Sequence, residues 1–166
     1  MTAGDTWLYP LWVQNKYTVT FNKNGGGTPS FSSKTVYYDD TYGSLPTVSR
    51  TGYTFDGWYT AASGGTKITT STKVAITANQ TLYAHWTINQ YTVTLTKGTG
   101  ISAVSGAGTY DYNASVTINA TVKTGYTWKN WTSGSTAVTT TKNYTFNMPA
   151  NNLSYTANAT ANTYSI

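Results

Sequence analysis

Several residue types that carry chemistry are missing or nearly missing from this sequence. It has no cysteine and no glutamate, and it has only one histidine, His85, and five aspartates. Without cysteine, the chain forms no disulfide and offers no thiol nucleophile or zinc–thiolate site. Acid–base catalysis usually recruits a histidine or a carboxylate with a tuned pKa, and a metal ion needs several convergent ligands. The composition therefore predicts a protein that is not an enzyme and has no catalytic residues, metal site or cofactor.

The few titratable residues are also poorly placed for shared chemistry. Asp39 and Asp40 are neighbours, so on a strand their side chains would face opposite sides. A Thr-Tyr-Gly segment follows them, and we interpret the two aspartates as turn residues. His85 alternates with apolar neighbours within residues 82–86, which predicts a surface histidine that points outward from a strand.

Charge clusters and long apolar runs are absent as well. The chain has ten Lys and Arg against five Asp, a net charge of +5, but no two basic residues are adjacent. Nucleic-acid binding needs clustered phosphate contacts, so we expect no nucleic-acid partner. No apolar run approaches the roughly 20 residues of a membrane helix, so this part of the protein is not expected to span a membrane.

The residues that are abundant favour β-structure. Of 166 residues, 36 are threonine, 15 are glycine and 15% are aromatic, whereas only 9% are charged. β-Branched and aromatic residues are enriched in strands, and glycine is typical of the turns between them. The composition predicts an all-β fold or a β-rich α+β fold.

The sequence is organised as a repeat of about 74 residues. Residues 17–21 reappear at 91–95, the block 50–58 reappears at 123–131, residues 8–12 match 82–86, and residues 89–93 match 162–166. Met1 to Thr6 lie outside the pattern. We therefore predict residues 1–13 as a leader and the last strand of a preceding repeat, 14–88 and 89–161 as two complete domains, and 162–166 as the start of a following repeat.

Alternation and turn residues place the strands inside each repeat. Tyr17, Val19 and Phe21 alternate with polar residues, which predicts a half-buried strand. Further strands are predicted at 34–38, 53–58 and 82–86, with a loop or short helical turn at 42–46 that ends at Pro46. In the second repeat, strands are predicted at 91–95, around 106–110 and at 116–122.

Three segments resemble a known family. Residues 17–21, the block Gly-Tyr-Thr-Phe-Asp-Gly-Trp-Tyr at 52–59 and the ending Leu-Tyr-Ala-His-Trp at 82–86 are similar to the Listeria–Bacteroides repeat, the internalin B-type B-repeat. Residues 91–161 resemble its divergent relative through Ser-Gly-Ala-Gly-Thr-Tyr at 105–110, but they lack the Leu-Tyr-Ala-x-Trp ending. The structural signature comprises Tyr17, Gly52, Tyr53, Phe55, Gly57, Trp58, Leu82, Tyr83, Trp86, Tyr91, Gly125, Tyr126, Trp128 and Trp131.

The resemblance implies both a fold and a setting. It implies small β-grasp-like domains joined end to end on secreted bacterial proteins, located outside the cell at the cell surface or wall, with no known catalysis. The function that follows is a tandem repeat module of a cell-surface adhesin, which acts as a stiff spacer and contacts host or neighbouring cells. Its partners would be adjacent repeats of the same polypeptide and, as candidates, a host surface protein or a glycan.

The many aromatic rings leave a second function open. We interpret Phe55, Trp58, Trp86, Trp128 and Trp131 as core residues. Outward tyrosines could instead form a binding platform, because tyrosine offers stacking area and a hydroxyl group. The alternative function is thus a carbohydrate-binding appendage of a secreted enzyme. A third hypothesis, a Lys–Asn or Lys–Asp isopeptide crosslink, would need a buried aspartate beside the reacting pair.

The apolar pattern changes at each repeat boundary. Leu82, Ala84 and Trp86 have even numbers, whereas Tyr91 and Val93 have odd numbers. Strand side chains alternate strictly, so this change directs the two apolar sets into different cores. Residues 87–90 contain neither Gly nor Pro. We expect the chain to bend near Asn89 and to enter the next sheet directly, and the repeats to form a stiff, elongated stalk.

Overall fold

The computed structural model describes residues 11–164, and within that range it contains β-strands and no helix. This confirms the all-β alternative of the predicted fold class. The first strands are β1 (Lys16–Asn22), β2 (Ser33–Tyr37), β3 (Tyr53–Tyr59), β4 (Lys67–Ile68) and β5 (Gln80–Ile88). They are followed by β6 (Gln90–Lys97), β7 (Ile101–Ser105), β8 (Gly108–Asp111), β9 (Ser115–Val122), β10 (Tyr126–Ser133), β11 (Thr136–Thr139), β12 (Tyr144–Asn147) and β13 (Leu153–Ala161).

The chain divides into two compact units. Among residues 11–164, the first unit contains the residues up to Ser49 together with Phe55–His85, and the second contains Arg50–Thr54 together with the residues from Trp86 onward. The short segment Arg50–Thr54 lies within the first sequence repeat, yet it belongs to the second compact unit. The sequence repeat and the compact unit are therefore different divisions of this chain.

The first five-stranded sheet has the order β2-β1-β5-β3-β4. β1 pairs with β2 in the antiparallel sense and with β5 in the parallel sense, so the first and last strands of the repeat are central neighbours. Alternation along β1 buries Val19 and Phe21, and β5 buries Leu82 and Ala84. Trp58 of β3 completes this core and donates its indole N–H to the Pro46 carbonyl at 3.0 Å.

The second five-stranded sheet repeats this arrangement. Its order is β8-β6-β13-β10-β11, and β6 pairs with β13 in the parallel sense. The closing strand thus forms even though the Leu-Tyr-Ala-x-Trp ending is absent. The second unit also contains a separate three-stranded sheet with the order β12-β9-β7. The core of this unit contains Val93, Ile118, Trp131 and Met148.

The predicted aromatic core is only partly correct. Trp58 and Trp131 are buried as expected. Phe55, Trp86 and Trp128 are half-buried, so they are not among the fully buried core residues, although Trp128 packs against the core of the second unit. Trp128 packs edge-on against Trp131 at 5.5 Å between ring centroids, and its indole N–H bonds to the Thr140 carbonyl at 2.7 Å. Small domains bury a lesser share of their surface, so each unit leaves some of its large rings partly exposed.

The turn residues behave largely as the sequence predicts. Asp39 adopts a positive φ of 64°, and its N–H donates to the Val74 carbonyl at 2.8 Å. It also pairs with Lys73 at 3.3 Å in an exposed ion pair, which contributes little to stability. Residues 42–46 form a loop without a helical turn.

His85 is a correction to the sequence prediction. It is half-buried rather than a surface residue. Its ring stacks on Tyr59 at 3.9 Å between centroids, and Nε2 lies 2.9 Å from the Ala61 carbonyl oxygen. The neighbouring strand therefore supplies a stacking partner on the side that the alternation pattern indicated as outward.

Some predictions concern residues at the ends of the chain. Residues 11–15 precede β1 without forming a strand. Met1 to Thr6, most of the strand predicted at 8–12, and the last residue Ile166 lie outside the described residues. The division of the sequence into four segments at 13, 88 and 161 remains a prediction.

Tyr42 makes the first unit sensitive to alkaline pH. Its side chain is buried, and burial raises the pKa of its hydroxyl above the ordinary 10.0. Because the folded state holds this proton more tightly than the unfolded state, the stabilising contribution is complete below pH 10 and is lost as pH rises through the folded pKa. We expect the free energy of unfolding to fall above about pH 10. Tyr42→Phe should flatten that fall, which urea denaturation at several pH values would detect; an unchanged slope would contradict the prediction.

Candidate functional site

Asn89 is the single residue between two strands that belong to different sheets. β5 ends at Ile88 in the first five-stranded sheet, and β6 begins at Gln90 in the second. Leu82 and Ala84 are buried before this point and Val93 is buried after it, which matches the change of apolar pattern. The prediction that the chain passes directly from one sheet into the next near Asn89 is confirmed.

The polar groups of Asn89 are hydrogen-bonded to partners within the second unit. Its backbone N–H donates to the Gly52 carbonyl at 2.9 Å, and its own carbonyl accepts from the Tyr112 N–H at 2.8 Å. Its side-chain Oδ1 accepts from the Thr54 hydroxyl at 2.6 Å. Three bonds in different directions fix the backbone and the side chain of the same residue. We call this set of bonds the Asn89 junction.

Gly52 and Tyr112 form a close contact beside the Asn89 junction. Gly52 has φ +75°, and a Cβ placed on it would lie 2.1 Å from atoms of the Tyr112 ring. Glycine is therefore needed at this position for two reasons. It adopts the left-handed backbone without strain, and it leaves room for the ring to approach. Tyr53 meets Tyr112 edge-on at 6.1 Å between centroids, and the Arg50 guanidinium lies 3.7 Å above the Tyr53 ring. We call this the Gly52–Tyr112 contact.

The same hydrogen bonds recur at the end of the second repeat. Asn162 donates its N–H to the Gly125 carbonyl at 2.8 Å and accepts from the Thr127 hydroxyl at 2.7 Å. Gly125 has φ +82°, similar to Gly52, but no atom lies within 4 Å of the Cβ position. The hydrogen-bonded turn is therefore repeated, whereas the ring that covers Gly52 has no counterpart over Gly125 among residues 11–164.

An open, polar cleft of about 700 Å³ adjoins the Asn89 junction. It is lined by Thr54, Thr87, Ile88, Asn89, Gln90, Tyr91 and Asp111. Asp111 is its one carboxylate, and its Oδ1 accepts a hydrogen bond from Gln90 Nε2 at 2.9 Å. In the described part of the chain, no three His, Cys, Asp or Glu residues converge to hold a metal ion. The cleft offers hydrogen bonds and does not bring together an acid and a base.

The signature residues spread over both units instead of forming one site. Tyr17 lies on β1, Tyr91 on β6, and Leu82, Tyr83 and Trp86 on β5. β3 carries Tyr53, Phe55, Gly57 and Trp58, and β10 carries Tyr126, Trp128 and Trp131. Gly52 and Gly125 precede β3 and β10 in tight turns. Gly52 and Tyr53 adjoin the Asn89 junction, and Tyr91 lines the cleft beside it.

Sequence reasoning missed two partners of this site, Thr54 and Tyr112. A signal for Thr54 was present, because the Thr-Gly-Tyr-Thr block recurs at 124–127 and the asparagine recurs at 162. The two elements recur at the same spacing, which is typical of residues that contact one another. Tyr112 has its own counterpart, Tyr38, at the offset of the repeat.

The isopeptide crosslink lacks the environment that it requires. Among residues 11–164 no polar or charged side chain is fully buried. A buried aspartate beside a lysine is therefore missing from the described part of the chain. Intact mass spectrometry would decide the point, since a crosslink removes ammonia or water from the mass of the plain sequence.

The bond between Thr54 and Asn89 can be tested by a double-mutant cycle. Asn89→Ala and Thr54→Ala should each lower the free energy of unfolding by about 1 kcal/mol, because each removes one hydrogen bond and leaves its partner unpaired. The double variant should lose less free energy of unfolding than the sum of the two single losses, since both changes remove the same bond. Thr127→Ala removes the equivalent hydrogen bond to Asn162 and serves as the matched control. Strictly additive effects, measured by urea denaturation, would show that the bond contributes nothing.

The fold and the Asn89 junction together define a class of protein: small all-β repeat domains in tandem. Residues 17–85 match the family described as the Listeria-Bacteroides repeat domain, and residues 91–163 match the Divergent InlB B-repeat domain. The chain therefore belongs to the InlB-type B-repeats, with one repeat of each kind.

Three relatives are similar to this chain over most of its length. Internalin H of Listeria monocytogenes is 34% identical over 146 residues, which cover 88% of this chain and 25% of that protein. Two proteins of Evansella cellulosilytica that carry membrane-protein names are each 32% identical over 78% of this chain. The matched regions cover 20% and 14% of those two proteins, so the chain corresponds to a quarter or less of each relative. No solved structure matches the chain significantly.

Residues 11–164 contain no helix that is long and apolar enough to cross a membrane.

Proposed function

We propose that this chain is a non-catalytic repeat module of a bacterial cell-surface adhesin, in which it acts as a stiff spacer between the cell wall and a binding domain. The similarity to Internalin H and the match to two B-repeat families support the surface setting. Contact with host or neighbouring cells is part of the same proposal.

The Asn89 junction is the observation that carries the spacer function. A Gly/Ser-rich linker behaves as a flexible coil, with many accessible backbone states. Here the connection is one residue long, and its N–H, its carbonyl and its side chain are all hydrogen-bonded. Asn162 repeats two of these bonds, so the same connection is available at the next boundary. Hydrogen bonds of this kind restrict the backbone states of the chain at the connection, which supports a stiff spacer.

The distribution of titratable groups supports a non-catalytic role. His85 is held in a stack with Tyr59, and Asp39 is engaged in a turn and an exposed ion pair. Asp111 is bonded to Gln90 in a cleft without a second acid. General acid–base catalysis needs a proton donor and an acceptor that converge on one substrate. These residues instead have structural partners.

A distance measurement tests the stiffness of the connection. Because the chain has no cysteine, spin labels can be placed at Thr35→Cys and Thr96→Cys, two exposed strand positions. We expect a single narrow distance distribution in double electron–electron resonance. A matched variant with a six-residue Gly/Ser insertion after Asn89 should broaden it. A distribution in the original chain as broad as in the insertion variant would contradict the spacer proposal.

The carbohydrate-binding alternative is favoured by one observation. Tyr37 and Tyr38 are neighbouring aromatic residues that are 44% and 45% exposed. A glycan array followed by a tryptophan-fluorescence titration separates the two functions. Saturable binding of one sugar class, lost in Tyr37→Ala, would overturn the pure spacer. Absence of binding across the array supports the spacer.

A further inference from the structure

We propose that Tyr38 and the Gly125–Tyr126 turn are the two halves of a docking contact, and that the occupant of each is another repeat of this same kind. Tyr38 would cover the Gly-Tyr turn of a preceding repeat, and Gly125 would receive the corresponding tyrosine of a following one. This inference rests on the proposed function, because it assigns the adjacent repeat as the partner of these surfaces.

The template for this contact is present once, in the second unit. There the Tyr112 ring lies over Gly52, so close that a Cβ would stand 2.1 Å from it, and Tyr53 packs against the edge of the same ring. Gly52 is buried by this arrangement, and Tyr112 is half-buried. The Gly52–Tyr112 contact thus joins a turn of the first sequence repeat to a strand end of the second.

Tyr38 has the same backbone setting as Tyr112. Tyr38 donates its N–H to the Asn15 carbonyl at 2.8 Å, as Tyr112 does to the Asn89 carbonyl at 2.8 Å. Each is followed by a residue with φ 64°, Asp39 or Asn113, so the backbone turns in the same way after both tyrosines. Tyr38 nevertheless stays 45% exposed. The Tyr38 ring is therefore exposed, whereas the Tyr112 ring is covered.

Gly125 has the same backbone setting as Gly52. Both have a positive φ, and the carbonyl of each accepts the N–H of a junction asparagine at 2.8–2.9 Å. The space above Gly125 is open, with no atom within 4 Å of the Cβ position. Tyr126 follows it as Tyr53 follows Gly52. The turn therefore leaves the space above its glycine open, whereas the Tyr126 ring lies against Gly100, 2.3 Å from where a Cβ would stand there.

The repeat sequence supplies the partner. Asn162 takes the position of Asn89 in the hydrogen bonds with its turn, and residues 162–166 match 89–93. A repeat that continues from Asn162 in the way that the second continues from Asn89 would place its own tyrosine beside Gly125. We therefore choose a B-repeat as the occupant of both surfaces, rather than a sugar or an unrelated protein.

A duplicated protein tests this directly. The chain through Ala161 is followed at once by a second copy that starts at Asn15, so that the second Asn15 takes the place of Asn162. Tyr38 of the second copy then faces the Gly125 turn of the first copy, whereas Tyr38 of the first copy has no such turn before it. The same residue is thus present in one molecule with and without its proposed partner.

Tyr38→Ala is introduced separately into each copy. In the second copy we expect the melting temperature of the affected transition to fall by roughly 4 °C or more, and in the first copy by less than about 1 °C, because exposed substitutions away from special features have little effect. Tyr38→Phe in the second copy should restore the melting temperature, since the ring is kept. Hydrogen exchange at the second-copy Tyr38 amide should be slower than at the first-copy one.

Equal decreases in melting temperature for Tyr38→Ala in the two copies, or equal hydrogen-exchange rates at the two Tyr38 amides, would overturn the docking contact. The distance distribution of the unduplicated chain is independent of this result. A narrow distribution together with equal losses would reject the docking contact and retain the spacer. A broad distribution would reject the spacer itself.

Discussion

Replacement of Trp131 by alanine is expected to lower the free energy of unfolding of the second unit by about 3–5 kcal/mol. Trp131 is fully buried in the core of that unit, beside Ile118 and Met148. Its indole N–H donates to the Lys142 carbonyl at 3.0 Å, so the substitution removes packing and also leaves an acceptor unpaired. Because single domains are stable by only about 5–15 kcal/mol, this loss approaches the whole stability of the unit.

The matched control is Trp128→Ala on the same strand. Trp128 is half-buried at the rim, so water can fill much of the space that its ring leaves. We expect Trp128→Ala to lower the free energy of unfolding clearly less than Trp131→Ala does, as measured by a urea titration followed by far-ultraviolet circular dichroism. If the two variants lost equal stability, the division between core and rim would be wrong.

Gly52→Ala should be far more destabilising than Gly125→Ala, although both glycines occupy equivalent turns. Each alanine would be held at a positive φ, which costs about 1–2 kcal/mol. At Gly52 the new Cβ would also stand 2.1 Å from the Tyr112 ring, which must move away. Overpacking of this kind adds typically 1–3 kcal/mol. At Gly125 the Cβ enters open space, so only the backbone cost is expected.

Tyr112→Ala separates the two contributions. Combined with Gly52→Ala, it removes the clash but leaves the positive φ, so the double variant should be more stable than the sum of the single losses predicts. Chemical denaturation of the four proteins in this cycle gives the coupling. Equal losses at Gly52 and Gly125, with no coupling to Tyr112, would contradict the close contact.

The strands and the tandem arrangement could be predicted because their signals are local. Alternation at Tyr17, Val19 and Phe21 predicts β1, and the same pattern 74 residues later predicts β6. Asp39 could be assigned to a turn because its type and its neighbours favour one. β7, β11 and β12 were not predicted from the sequence, since short strands with polar residues give weak alternation.

Burial and the partners of the Asn89 junction depend on distant residues. Within the same repeated block, Trp58 and Trp131 are buried, whereas Phe55 and Trp128, three residues earlier, are half-buried, because neighbouring strands decide how much of a ring is covered. Thr54 is 35 positions before Asn89, and no periodicity links the two. The repetition of both elements at 127 and 162 was the available clue, and it indicates which residues belong together without giving their geometry.

The parallel pairing of the first and last strands of each repeat has a consequence for tension. The chain enters a repeat along β1 or β6 and leaves along β5 or β13, which are hydrogen-bonded neighbours that run in the same direction. A force that pulls the two ends of a repeat apart therefore slides these strands past each other along their length. The bonds of a parallel ladder are evenly spaced, so they carry the load together and do not open one after another. A tether built from such repeats would resist stretching by flow, because a repeat lengthens only when a whole ladder shears at once.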